Sequence, residues 1–256
     1  MQEDEPQRVF FEDLGTVEYQ HAWDYQTDIH TSLVQAKRKK GRDHNAAPPP
    51  HRLIFVEHPH VYTLGKSGSI DHLLLDEDAL LREGVSFHRI NRGGDITYHG
   101  PGQIVAYPIL DLDYFFNDVK RYVWSLEEAV IRTLLDYRVE ATRFEGYTGV
   151  WLAPSDQYPW RKICAIGVHL SRWVTLHGLA FNVNTDLSYF QGIVPCGISR
   201  GTHEVTSLAA ELGRPVDIDE VKFSLRQNLA AVLKFDLVTG FSESGNPIMT
   251  SQTQKS

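Results

Sequence analysis

KICAIGVHLSRWVTLHGLAFNV, residues 162–183, reads as two β-strands folded back on each other at Ser171-Arg172. Period-two alternation places Lys162, Cys164, Ile166, Val168 and Leu170 on one face of the first strand. Ile163, Ala165, Gly167 and His169 fall on the other. Lys162 heads an otherwise apolar strand, and two readings of it stay open. Its ammonium can snorkel to water at the strand end, or it can reach into a pocket where its partners tune it. Gly167 and Gly178, small residues inside strands, mark places where a ligand or another backbone passes close by.

Upstream lies RGGDITYHGPGQIVAYP, residues 92–108, with glycines and prolines set among Arg, Asp, Thr, Tyr, His and Gln. It reads as one long loop between strands at 86–90 and 104–109, too long for a simple turn. The glycines permit φ > 0 and close approach to a ligand. Before it, residues 9–14, 53–57 and 61–64 read as strands, with helices over 19–40 and 71–83. His58-Pro59-His60 lacks a spaced third ligand, so no metal site is expected. After it come an amphipathic helix over 123–137, with Glu127 and Glu128 on its solvated side, and a strand at 148–152. The polar SDQYPW excursion reads as a surface loop. Helices over 205–212 and 219–235 follow, the first closed by Gly213.

The chain has 256 residues, 42% hydrophobic and 23% charged, ordinary values for a soluble globular protein. A net charge of −8 argues against general nucleic-acid binding. Neither a signal-like N-terminus nor a run of 18 apolar residues is present, so a cytoplasmic protein without membrane or nucleic-acid partners is expected. A single domain over 8–240 with flexible tails at 1–7 and 241–256 is expected as well. Two cysteines make no disulfide framework. Cys196 stands between Pro195 and Gly197, in a turn where flanking amides could face a developing oxyanion, which suits a nucleophile better than a core residue.

EHPHVYTLG, RGGDITYHGPGQIVAYPILDL, TGVW, KICAIGVHLSRWVTLHGLAFNV and IVPCGI, in that order, resemble the lipoyl(octanoyl) transferase family, over about residues 15–235. The resemblance implies an α+β fold like that of biotin and lipoate protein ligases, a central mixed sheet with helices packed on it. The activity it implies is transfer of an octanoyl group from octanoyl-acyl carrier protein to a lysine of lipoyl domains, the first step of endogenous lipoylation. Acceptors would be the E2 subunits of 2-oxoacid dehydrogenases and the glycine cleavage H protein. Cys196 resembles the acyl-thioester nucleophile, and Lys162 the residue that lowers its pKa. Arg92, Gly93, Gly94, Asp95, Ile96, Thr97, Tyr98 and His99 match acyl-binding segments, as do Ala165-Ile166-Gly167 and Gly178-Leu179-Ala180. No cofactor and no metal are implied. The KRKKGRDHNAAPPP insertion, residues 37–50, and the SDQYPW excursion depart from the family pattern.

Three other readings compete. An ATP-dependent lipoate or biotin ligase would share the fold but needs no poised cysteine, and it would release AMP. A Cys-His hydrolase would use water as acceptor. An acyl-binding module would be indifferent to Cys196→Ser. Acidic protein substrates would need basic side chains near the site, and Arg161, Arg172 and Arg200 flank the implied catalytic segments. The basic run over 37–42 reads as a solvated helix end or, alternatively, a docking patch.

Overall fold

The computed structural model describes residues 6–40, 49–194 and 203–239. In chain order the elements are β1 (Gln7–Thr16), α1 (Tyr19–Lys40), β2 (His51–Glu57), β3 (Val61–Leu64), α2 (Glu77–Arg82), β4 (Ser86–Arg89), β5 (Ile96–His99) and β6 (Gln103–Ile109). There follow α3 (Val119–Asp136), β7 (Thr142–Phe144), β8 (Tyr147–Leu152), β9 (Trp160–Ser171), β10 (Val174–Asn182), β11 (His203–Val205), α4 (Leu208–Leu212), α5 (Ile218–Leu233) and β12 (Phe235–Val238). The mixed main sheet runs β12-β1-β2-β6-β10-β9-β8-β7, and β11 pairs in parallel with the start of β9. A second sheet, β4-β3-β5, stands apart from it.

One apolar core lies between the main sheet and α3 and α5, built on Leu126, Val130, Leu134, Leu225 and Leu229 against Phe55, Ile104 and Phe181. The other face of the sheet is covered by α1 through Ala22, Leu33 and Val34, which meet Ile54, Val105 and Ala180. Helices on both faces of a mixed sheet are the α+β arrangement expected. Among the described residues no helix is long and apolar enough to cross a membrane.

Several boundaries move, each for a local reason. The stretch 71–83 is not one helix. A 3-10 turn at Ile70–His72 ends, Leu73 bridges to Ile193, and α2 starts only where the Asp76 carboxylate accepts from the Ala79 N–H at 2.8 Å. Likewise α3 begins before 123, because Asp118 caps it through the Arg121 N–H. Ser207 caps α4, which leaves Val205 to β11, and Lys234 at φ 59° ends α5, which leaves Phe235 to β12. Gln7 opens β1 opposite Phe235, so it belongs to the sheet and not to the expected tail. The tail at 241–256 lies outside the described residues.

The long loop of 92–108 is really loop, strand, turn and strand. Ile96–His99 pairs antiparallel with β3, and Gly102 at φ 77° turns the chain into β6. The β9–β10 hairpin turns at Arg172 and Trp173, both at positive φ (52° and 64°). That is the backbone of a type I′ hairpin turn without its usual Asn-Gly. The Lys37 ammonium and the Leu112 N–H donate to the two turn carbonyls at 2.7 and 2.8 Å.

Gly178 does lie under a passing backbone, as its place inside a strand suggested. A Cβ there would stand 2.0 Å from the Ala106 carbonyl oxygen and 2.8 Å from the Pro108 ring. Gly178→Ala is therefore expected to cost about 1–3 kcal/mol, the usual range for an overfilled core. A thermal melt would show it, at roughly 2–4 °C per kcal/mol for a chain of this size.

Candidate active site

A cavity of about 510 Å³ opens between β5, β6, β9 and β10 and the loop that precedes β5. Of the expected binding residues, Arg92, Gly93, Gly94, Asp95, Ile96, Thr97 and His99 line it, and so do Ala165, Ile166, Gly167, Gly178, Leu179 and Ala180. Tyr98 does not. It is fully buried in the small sheet, hydrogen-bonded through its hydroxyl to His60 Nδ1 at 2.7 Å and stacked on Tyr189. Its ring is instead packed into the core of the small sheet with Tyr62 and Ile193.

The loop is fastened on both sides. Lys66 and Ser67 donate their backbone N–H groups to the Arg92 and Gly94 carbonyls, at 3.0 and 3.2 Å, while the Gly93 N–H donates to Val168 O at 3.0 Å. Gly167 is small because the loop crosses it: a Cβ would stand 2.9 Å from Gly93 O. Buried Arg92 donates to Thr63 O at 2.7 Å and to Thr63 Oγ1 at 3.1 Å. From Thr63 a polar chain continues to His99 Nε2 (3.3 Å) and from His99 Nδ1 to Gln103 Oε1 (2.8 Å). Gln103 then donates to Asn182 Oδ1 (2.9 Å), and Asn182 to Thr206 O (3.0 Å). The chain gives the buried side chains along it hydrogen-bond partners, so it holds the cavity wall in one arrangement.

Lys162 lines the same cavity, and the reason is a register shift that alternation could not show. Val150 pairs with Cys164, but the next residue of β8, Trp151, pairs with Lys162. Ile163 is thus the extra residue of a β-bulge, and Ile163 and Cys164 are consecutive yet both fully buried in the same core. The bulge breaks the phase of the strand. Lys162 therefore does not share the face of Cys164, contrary to the expectation from period two. Its Nζ lies 4.6 Å from the centroid of the Trp151 ring.

Cys164 is sealed, with burial pushing its thiol well above the usual range and the thiol donating to the Ala165 carbonyl at 3.5 Å. Cys196 lies outside the described residues, as does Arg200. The described chain stops at Val194, whose N–H donates to His72 O at 2.8 Å, and resumes at His203 in β11. Val205 of β11 pairs with Lys162, and both Val205 and Phe190 line the cavity.

Sequence reading also misplaced some residues that lie away from the cavity and missed others that line it. Glu127 was expected on the solvated side of its helix; instead it is buried, accepting from the Gly149 N–H and from Arg143 Nε, each at 3.0 Å. Its neighbour Glu128 is held below the usual carboxylate range, chiefly by the hydrogen bond from Arg143. Tyr19, His177 and Asn182 also line the cavity. Asn182 carried a readable signal, a polar residue inside an apolar strand, as Lys162 did.

The expected docking arginines fare less well. Arg161 is spent internally on Glu211 (3.0 Å) and over the Tyr158 ring. Arg172 sits at the hairpin turn, ten residues from Lys162 and so about 30 Å away along the strand. Of the basic run, Lys37 is committed to Asp111 (2.5 Å) and Asp113 (2.7 Å), and residues 41–48 lie outside the described ones.

The histidines around the site serve the fold. His58 bonds Val17 O and the Tyr107 hydroxyl, which leaves neither ring nitrogen for a metal. Burial lowers His58 to about 4 and His177 to about 3. Both are neutral in the folded protein, whereas in the unfolded chain they take up protons below about 6.5. Stability is then full above pH 6.5 and falls as pH drops from there toward 4, by up to about 1.4 kcal/mol per pH unit for each histidine. Urea midpoints between pH 7 and 4 would check this, and His58→Asn should flatten the slope.

The profile of the lipoyl protein ligase A/B catalytic domain matches residues 19–230. An octanoyltransferase of Flavobacterium johnsoniae is 52% identical over 232 residues, 90% of this chain and 99% of that one. Another, from Bacteroides fragilis, is 52% identical over 222 residues, covering 86% and 96%. Among solved structures, a bipartite lipoate protein ligase of Thermoplasma acidophilum superposes with a TM-score of 0.64 at 16% identity, covering 94% of this chain and 89% of that one. That likeness speaks for the fold alone. The sequence relatives go further, and with the matched domain they place this chain in the lipoyl protein ligase A/B catalytic-domain family, among its octanoyltransferases.

Proposed function

We propose that this acyltransferase moves an octanoyl group from octanoyl-acyl carrier protein to a specific lysine of lipoyl domains, through a thioester on Cys196. The observation that carries the reading is the bulged strand, which turns Lys162 into the cavity beside β11, where the chain returns from the stretch containing Cys196. The acceptors would be the E2 subunits of 2-oxoacid dehydrogenases and the H protein of glycine cleavage, in the cytoplasm.

The chemistry balances with two side chains. The Cys196 thiolate attacks the octanoyl carbonyl, a C–S bond forms to Sγ, and the carrier thiolate leaves with a proton from the Lys162 ammonium. The acceptor amine then attacks the acyl-enzyme, its proton passes to Lys162, and the C–Sγ bond breaks. A thioester is already activated, so no ATP enters. The octanoyl tail would lie in the cavity against Ala165, Ile166, Leu179 and Ala180. Each buried CH₂ contributes about 0.8 kcal/mol.

Incubating the protein with octanoyl-acyl carrier protein and a lipoyl domain, without ATP, is expected to add one octanoyl mass to the acceptor. A requirement for ATP with AMP release would make it a ligase. Release of free octanoate with the acceptor unmodified would make it a hydrolase.

A further inference from the structure

We propose that Trp151 is a positioning residue for the transfer reaction, its indole face holding the Lys162 ammonium at the cavity wall. The inference rests on the role given to Lys162 above. Three observations carry it. The bulge at Ile163 sets Trp151 directly opposite Lys162 in the β8–β9 register. The Lys162 Nζ then stands 4.6 Å from the ring centroid, inside the range of about 6 Å over which a cation is drawn to an aromatic face, and indole is the strongest such face.

Second, the ring is itself immobile. Trp151 is 1% exposed, its Nε1–H donates to Tyr147 O at 3.1 Å, and Phe144 and His203 meet it edge-on at 5.4 and 5.6 Å. His203 opens β11, so the ring is braced by the strand that returns from the stretch carrying Cys196.

Third, Gly149 lets the two strands close beside the lysine stem. It adopts φ 122°, and a Cβ there would stand 2.5 Å from Cys164 O and 3.6 Å from Lys162 Cε. A four-carbon flexible stem loses much rotamer freedom when it is held in one place. A fixed aromatic face gives the ammonium a defined place.

Packing alone would also bury a tryptophan here, so the test must change the π-face without changing the shape. The full-length protein is produced with tryptophan replaced globally by its mono-, di- and trifluoro analogues. Trp151→Phe, made in the same media, controls for the other tryptophans. Two quantities are read: the rate of octanoylation, and the pH midpoint for alkylation of Cys196 by iodoacetamide, followed by intact mass with Cys196→Ala as the blank.

Each added fluorine is expected to slow octanoylation and raise the alkylation midpoint stepwise, by roughly threefold to tenfold in rate over the series. The Trp151→Phe background should be insensitive to fluorination. A flat series in the Trp151 background overturns the inference, as does an equal slope in both backgrounds. If Cys196 is never octanoylated, even without fluorination, the reading beneath falls and takes this one with it.

Discussion

Lys162→Met is expected to keep the fold and to slow octanoylation of the enzyme by about 10²–10⁴-fold, the usual worth of a positioned acid–base group. Methionine matches the lysine stem in volume, and the site it would fill is an apolar wall and an indole face, so the core beneath is unaffected. What disappears is the cation proposed to assist the nucleophile. A free cysteine titrates at about 8.5, so at neutral pH only a few per cent would then be thiolate. The pH–rate profile of the variant should therefore keep rising through pH 8. Rapid-quench acylation followed by mass spectrometry would measure both, and a variant as fast as the parent at pH 7 would leave Lys162 without a role in the chemistry.

The hairpin was readable because two apolar runs flank the polar break at Ser171-Arg172 and its glycines sit where a side chain cannot. Gly167 lies under the 92–95 loop and Gly178 under β6, contacts that the residue type alone announced. The binding loop was readable as a binding loop, but the strand inside it was not. Ile96–His99 is four residues long and pairs only within the small sheet, so its alternation was hidden among glycines.

The bulge at Ile163 marks where sequence periodicity stops helping. Adding one residue to one strand leaves the composition of that strand unchanged and shifts the phase of everything before it. For the same reason Lys162 and Cys164 seemed to share a face. Glu127 was misplaced because its burial depends on Arg143 and the Gly149 N–H, partners 16 and 22 residues away that no helical period can report. The short strands β11 and β12 were absorbed into neighbouring helices, since only the caps at Ser207 and Lys234 separate them.

Cys196→Ala is expected to abolish octanoyl transfer outright, while Cys164→Ala should retain it at a small cost in stability. Cys164 is fully buried in the core, and burial holds its thiol protonated, so it can neither reach a donor nor attack it. Losing its sulfur leaves a small cavity, with a penalty at or below that of removing a buried Val or Ile methyl, about 1 kcal/mol. The direct measurement is intact mass after mixing each variant with octanoyl-acyl carrier protein and no acceptor. The account predicts one octanoyl adduct on the parent and on Cys164→Ala and none on Cys196→Ala; an adduct that persists in Cys196→Ala and vanishes in Cys164→Ala would contradict it.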